Sequence, residues 1–174
     1  MKTYRKATIE DLDAIVSAYQ HTHNAEEAGL TTIGWKREIY PTIETAEAAF
    51  ERDDMYVCEI DGNVVASAII NQIQVDVYAD VEWEQPAEDN EVLVLHTLDV
   101  DPKSRFDGVG KGFVKFYEDM AKEMNCKSLR MDTNATNKIA RKFYNGLGFK
   151  EIGIVPTVFN GIPGINLVML EKVL

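Results

Sequence analysis

Cysteine is scarce in this 174-residue chain, and the two that occur, Cys58 and Cys126, lie far apart in the sequence. A small secreted protein held by disulfides would carry more of them, so we expect two buried thiols in a cytoplasmic protein. The three histidines, His21, His23 and His96, do not complete a metal site with these cysteines. We therefore expect no metal.

Long apolar segments are also lacking. No run approaches the roughly 20 residues that a membrane-spanning helix needs. The N-terminal stretch Met1 to Lys6 leads into polar residues, unlike a secretory signal. Internal repeats and low-complexity segments do not occur. We expect one domain over residues 1–174, without a membrane partner.

Positive charge is in deficit, since the net charge is −11. This argues against a protein that binds nucleic acid in general. The acidic residues are concentrated between Asp76 and Glu91, where seven carboxylates occur without any lysine or arginine. That run serves either solubility or the attraction of a cationic ligand, and the sequence leaves both open.

The most informative stretch runs from Val92 to Phe149. Val92 to Val100 is an apolar, β-branched run that predicts a buried strand. A glycine-rich turn, Arg105-Phe106-Asp107-Gly108-Val109-Gly110-Lys111-Gly112, then opens directly into a predicted helix. Such a turn presents unpaired backbone N–H groups and the positive end of a helix dipole, which together favour phosphate. The segment from Lys103 to Lys115 carries four basic residues and one acid, so its local charge is +3.

Two common phosphate motifs do not fit this turn. A dinucleotide fingerprint requires glycine at the position of Phe113, and a P-loop requires Gly and Ser or Thr where Arg105 and Gly112 stand. A nucleotide-binding α/β protein is therefore disfavoured. An ordinary solvent-facing turn before a helix is the simplest alternative.

What remains is Arg105-x-x-Gly108-x-Gly110, which resembles the pyrophosphate-binding motif of the GNAT acetyltransferase superfamily. Val100-Asp101-Pro102 stands upstream at the spacing of that family. Downstream, Asn137, Ala140, Tyr144 and Gly148-Phe149 resemble its second motif. The resemblance covers about a third of the chain closely.

The resemblance implies an α+β fold with a mixed, mostly antiparallel central sheet, flanking helices and the element order β-α-α-β-β-β-α-β-α-β-β. Periodicity alone supports only a mixed α/β or α+β domain. It predicts a first helix that begins at Thr8 and becomes irregular beyond His21. It also predicts two final strands, Phe149 to Val155 and Ile165 to Leu174. The last strand offers an edge for a homodimer.

The resemblance further implies that acetyl-CoA is the acetyl donor. Its pyrophosphate would lie on the turn, and its pantetheine arm would lie along the strand before it. Asn137 matches the family's asparagine beside the cofactor, and it is also a natural helix N-cap. The implied cofactor-binding residues are Leu98, Val100, Arg105, Phe106, Asp107, Gly108, Val109, Gly110, Lys111, Asn137, Ala140 and Tyr144. Phe106 departs from the family, which often has glycine there.

Tyr144 matches the family's tyrosine next to the sulfur, where a protonated phenol can donate to the departing thiolate. The alternative is a core tyrosine on an amphipathic helix. The general base is less determined. His96 has a suitable intrinsic pKa, while Glu59, Glu82, Glu91 or a water chain would also serve.

Trp35 and Tyr40 fall in the region that lies over the acceptor in the family, so they are either substrate contacts or packed aromatics. We expect an N-acetyltransferase that transfers acetyl directly to a primary amine of a small molecule, amino acid or peptide. The alternative is a catalytically silent acyl-CoA-binding sensor on the same fold.

Overall fold

A computed structural model describes residues 1–104 and 106–174 of the protein. It contains seven strands and four α-helices within that part of the chain. The elements in chain order are β1 (Lys2–Lys6), α1 (Leu12–Glu27), α2 (Ile43–Glu51), β2 (Met55–Ile60), β3 (Asn63–Asn71), β4 (Val92–Val100), α3 (Val109–Glu123), β5 (Ser128–Asn134), α4 (Lys138–Gly146), β6 (Lys150–Phe159) and β7 (Ile162–Val173).

The strands form one sheet in the order β1-β2-β3-β4-β5-β7-β6. The expectation that the last strand offers an edge for a homodimer is therefore wrong, because β7 pairs with β5 on one side and with β6 on the other. Strands β4 and β5 are parallel, with Val92 to Leu95 opposite Ser128 to Met131. The β1–β2, β2–β3, β5–β7 and β6–β7 pairs are antiparallel. The predicted fold class and element order are therefore confirmed.

By its internal contacts the chain divides into two compact units. The first comprises Met1–Thr31, Trp35–Ile70 and His96–Tyr117, and the second comprises Thr32–Gly34, Asn71–Leu95 and Glu118–Leu174. The core of the first unit lies between α1, α2, β2 and β3, with Ile15, Tyr19 and Met55 fully buried. The core of the second unit joins Tyr78 to residues of β4 and β7, such as Val94 and Met169.

The structure corrects two predicted boundaries. Helix α1 does not become irregular at His21 but continues to Glu27. The inner face of this part of the helix carries the buried polar residues Thr22 and His23, which are hydrogen-bonded to Asp99 and to the Pro41 carbonyl. These two residues interrupt the apolar pattern of the sequence although the helix continues. Strands β6 and β7 extend to within two residues of each other, because Asn160 and Gly161 both adopt positive φ and form a tight turn.

None of the helices in the described part of the chain has the length and apolar character needed to cross a bilayer.

Candidate functional site

The glycine-rich turn before α3 belongs to the first unit. Gly108 has φ +71°, a left-handed conformation that glycine adopts without strain, and its carbonyl accepts the first helical hydrogen bond from Gly112. The first turn of any helix leaves its N–H groups without partners inside the helix, here those of Val109, Gly110 and Lys111. Phe106, Asp107 and Gly108 are exposed, so the backbone is open to a ligand. Arg105 lies outside the described residues.

Strand β1 fixes this turn from one side. The Lys2 ammonium donates to the Asp107 carbonyl (2.8 Å), and the Tyr4 hydroxyl donates to the carbonyl of Val109 (2.9 Å). A side chain at Gly112 would meet the Tyr4 hydroxyl at 1.9 Å, so glycine is required there for packing. The turn is thereby held before any ligand arrives, which lowers the entropic cost of binding.

The approach to the turn is organised by Asp101. Its carboxylate accepts from the Lys103 N–H (2.8 Å) and lies against His21 Nδ1 (2.9 Å). Its own carbonyl accepts from the Ser104 N–H (2.8 Å). Asp101 thus connects the end of β4 to α1 and sets the direction in which the chain enters the turn.

The first-unit part of β4 contains a strained residue. Thr97 has φ +50°, which is unusual for a β-branched side chain and costs about 1–2 kcal/mol. Its hydroxyl is hydrogen-bonded to that of Tyr40, and the Tyr40 ring packs edge-on against Trp35 with centroids 6.2 Å apart. Such strain persists only where neighbours over-determine the geometry, and it occurs often at functional sites. His96, Leu98 and Val100 are half-buried on the same strand segment.

A buried carboxyl group lies beneath this segment. Asp99 is 3% exposed, and its Oδ1 accepts from the Thr22 hydroxyl at 2.5 Å. Its other oxygen finds no hydrogen-bond partner among the residues described. Burial raises the pKa of Asp99 to about 6, which the bond from Thr22 opposes.

This raised pKa makes stability depend on pH. Folding favours the neutral form of the Asp99 carboxyl group. The stability that this group contributes is therefore fully present below the ordinary pKa of aspartate, and it is lost as the pH rises through about 6. We expect Asp99→Asn to raise the melting temperature by about 2–6 °C at pH 8 and by clearly less at pH 4.5, which lies between the ordinary aspartate pKa and 6. Thermal unfolding across this range tests it, with Asp80→Asn, an exposed aspartate, as the control. An equal shift at both pH values would contradict the assignment.

The second unit carries the second predicted motif on β5 and α4. Asn137 caps α4, its side-chain oxygen accepting from the Ala140 N–H at 3.1 Å. The N-cap role is therefore observed, and it leaves Asn137 half-buried at the start of the helix. Arg141 ties the helix to the chain on either side, through the Ala135 carbonyl and the carboxylate of Glu151.

Tyr144 faces inward from α4 and is 9% exposed. Burial raises its pKa well above the ordinary value, and the negative charge of Asp132 raises it further. Asp132, on β5, is half-buried, and burial raises its pKa to about 6 although the Tyr78 hydroxyl donates to it at 2.6 Å. A phenol that stays protonated thus lies beside a carboxylate that changes charge near neutral pH.

Sequence reasoning missed Asp132 and Tyr78. Asp132 lies within β5, which continues to Asn134. Its proton affinity depends on the segment around Tyr78, which lies 54 residues away in sequence. The position of this carboxylate just before the Asn-Ala-Thr-Asn run was the only hint of a functional role in the sequence, and the sequence did not show that the carboxylate is half-buried.

The described residues contain no group of three or more His, Cys, Asp or Glu side chains arranged to hold a metal ion.

A sequence profile of the Acetyltransferase (GNAT) family matches residues 15–149. An uncharacterized N-acetyltransferase from Methanocaldococcus jannaschii is 27% identical over 163 residues, covering 89% of this chain. The chain spans 64% of the length of that relative.

Two solved structures resemble the whole chain. An N-acetyltransferase from Staphylococcus aureus Mu50 has a TM-score of 0.73 at 20% identity, covering 99% of this chain and 98% of its own. A Salmonella typhimurium protein solved with its cofactor acetyl-CoA has a TM-score of 0.69 at 17% identity, covering 99% of this chain and 93% of its own. At these identities the similarity establishes the fold.

Proposed function

Because the chain belongs to the GNAT acetyltransferase family, we propose that it transfers the acetyl group of acetyl-CoA directly to a primary amine of a small molecule, amino acid or peptide. The observation that carries this proposal is the exposed glycine turn, held by Lys2 and Tyr4, that opens α3 in a locally basic segment. A polyanionic donor suits that turn in a protein whose net charge is otherwise negative.

The donor is held by backbone groups. The N–H groups from Phe106 to Lys111 bind its pyrophosphate, with Arg105 and Lys111 supplying positive charge. The backbone at Leu98 and Val100 pairs with the pantetheine arm, and Asn137 and Ala140 belong to the cofactor-binding part of the second unit. The Thr97 conformation orients the N–H that follows it, which suits polarisation of the thioester carbonyl.

Proton transfer is assigned to the second unit. As the amine attacks the carbonyl, its nitrogen becomes much more acidic, and the Asp132 carboxylate takes the proton it loses. The thiolate that leaves receives a hydrogen bond from the Tyr144 hydroxyl. The support is that Asp132 has a pKa of about 6, and is thus ionised at neutral pH, while Tyr144 keeps its proton. His96 is the second candidate for the base.

Replacing Gly108 by alanine tests the donor site. A Cβ there meets only the Lys2 ammonium at 4.0 Å, but φ +71° costs alanine about 1 kcal/mol or more and moves the backbone that binds pyrophosphate. We expect acetyl-CoA affinity, measured by titration calorimetry, to fall about tenfold or more.

Gly29→Ala is a matched control, since Gly29 also has φ +71° and no atom within 4 Å of the added Cβ. It should lose similar stability and keep donor affinity. An unchanged affinity in Gly108→Ala, or stronger binding of NAD or ATP than of acetyl-CoA, would remove the basis of the proposed function.

A further inference from the structure

The acidic segment between β3 and β4 forms a cavity against the sheet of the second unit. The cavity measures about 390 Å³ and is lined by Gln74, Asp76, Tyr78, Trp83, Asp89 and Arg130, among others. This volume lies within the range of small-molecule sites. All of these residues belong to the second unit.

The wall of this cavity is fixed by Arg130. Its guanidinium donates to Gln74 Oε1 (2.7 Å) and to the Gln85 carbonyl (2.8 Å), and Trp83 stacks over it at 4.3 Å. Arg130 is 4% exposed, so these contacts tie the acidic segment to β5 from within. The cavity is therefore preformed, which reduces the cost of ordering it around a ligand.

The charge of Arg130 is already compensated. Its Nε lies 3.5 Å from Oε1 of Glu171, a carboxylate that is 1% exposed and that also accepts from the Ser128 hydroxyl and the Glu84 N–H. With Arg130 committed to this internal pair, the charges that face a ligand are the exposed carboxylates of Asp76 and Asp89, and Asp89 also accepts a hydrogen bond from the Gln74 side chain at 2.8 Å. The cavity thus favours a cation, and the aliphatic stem of an ammonium ligand can pack against the apolar side chains of its lining, Val75 and Val81.

Tyr78 connects this cavity to the proposed base. Its ring lines the cavity, while its hydroxyl donates to Asp132 at 2.6 Å. Tyr78 thus links the cavity at Asp76 and Asp89 to the carboxylate that accepts the proton in the proposed function. An acceptor with two amino groups has the matching chemistry.

We propose that the acceptor is an aliphatic diamine or another organic dication, whose second positive charge binds in the cavity at Asp76 and Asp89. This inference rests on the proposed function, since it names the class of amine that is acetylated. The cavity acts on specificity: it holds the charge that does not react, while the other amine is presented for transfer.

Matched pairs of acceptors test the inference, because equal chain length removes the apolar contribution. We expect kcat/KM for 1,6-diaminohexane to exceed that for hexylamine by about fivefold to tenfold at low salt, and the ratio to decrease as salt is added. In Asp76→Asn and Asp89→Asn the diamine-to-monoamine ratio should fall toward about two, the statistical value for a molecule with two equivalent amines.

Asp80→Asn is the control, because Asp80 lies in the same acidic segment, is exposed, and is not among the residues that line the cavity. It should retain the ratio. A wild-type ratio of about two or less, or an equal fall in Asp80→Asn, would overturn the inference and leave only a general acidic field.

Binding of 1,6-diaminohexane without acetyl-CoA, measured by calorimetry, separates this inference from the proposed function. Binding that weakens in Asp76→Asn but not in Asp80→Asn, without acetyl transfer to any amine, would support the cavity and contradict the acetyltransferase activity. Acetylation of hexylamine and 1,6-diaminohexane at equal rates, with the same diamine affinity in all variants, would support the acetyltransferase activity and contradict the role of the cavity.

Discussion

Replacing Tyr144 by phenylalanine is expected to lower kcat about a hundredfold while acetyl-CoA affinity changes by less than about twofold. The substitution removes one hydroxyl and leaves the ring, which packs edge-on against Phe143 and Phe149. Burial and the charge of Asp132 keep the pKa of this phenol well above its ordinary value, so it remains a hydrogen-bond donor at any working pH. The loss therefore belongs to stabilisation of the departing thiolate, which develops only in the transition state.

Three measurements distinguish this role from a structural one. Steady-state kinetics should show a lower kcat with little change in KM for the donor, calorimetry should show unaltered acetyl-CoA binding, and the melting temperature should stay near that of the wild type. Tyr56→Phe, at a half-buried tyrosine of β2, is the control for a lost hydroxyl and should keep its activity. Equal turnover in Tyr144→Phe and the wild type would show that the acid role is wrong.

The sequence predicted best the elements whose causes are local. Strand β4 begins at Val92 and ends at Val100 as the apolar run indicates. The glycine turn opens α3, and Asn137 caps α4. Each of these depends on residues within one element or its immediate flank: a β-branched run, a positive φ at Gly108, or a capping side chain.

The features that it did not predict depend on distant partners. The second half of α1 is stabilised by the hydrogen bond from Thr22 to Asp99, which lies 77 residues away in sequence. A polar residue serves this contact, and the helical spacing of apolar residues is therefore lost there. The Thr97 conformation follows from its neighbours, since nothing in a β-branched residue favours positive φ. Burial raises the pKa of Asp132 against the hydrogen bond from Tyr78, which lies 54 residues away in sequence, and Asp132 was therefore not among the predicted bases.

The same distinction applies to the acidic segment. Composition showed seven carboxylates and left solubility and cation binding equally open. In the structure these carboxylates differ in position. Asp76 and Asp89 line a cavity in whose wall Arg130 is paired with Glu171, while Glu84 forms an ion pair with Lys150 on the surface. The proposed role of the two cavity carboxylates therefore rests on their positions in the fold, which a count of charges in the sequence does not give.

Replacing Asp132 by asparagine is expected to lower kcat/KM about a hundredfold to a thousandfold and to change its pH dependence. In the wild type, log kcat/KM against pH should bend near pH 6, because the base works only when ionised and its pKa is raised to about 6. Below the bend both the loss of the Asp132 proton and the loss of the amine proton increase the rate. Above it only the amine still titrates, so the slope decreases.

Asparagine keeps an oxygen that can accept from the Tyr78 hydroxyl but cannot take a proton, so the bend should disappear while the slope due to the amine remains. Asp99→Asn is a stringent control, because Asp99 has a pKa raised to the same value of about 6 in the first unit, outside the proposed proton path. That variant should keep the bend. If the bend survived in Asp132→Asn and vanished in His96→Gln, the base would be His96, and Asp132 would serve only to hold Tyr78.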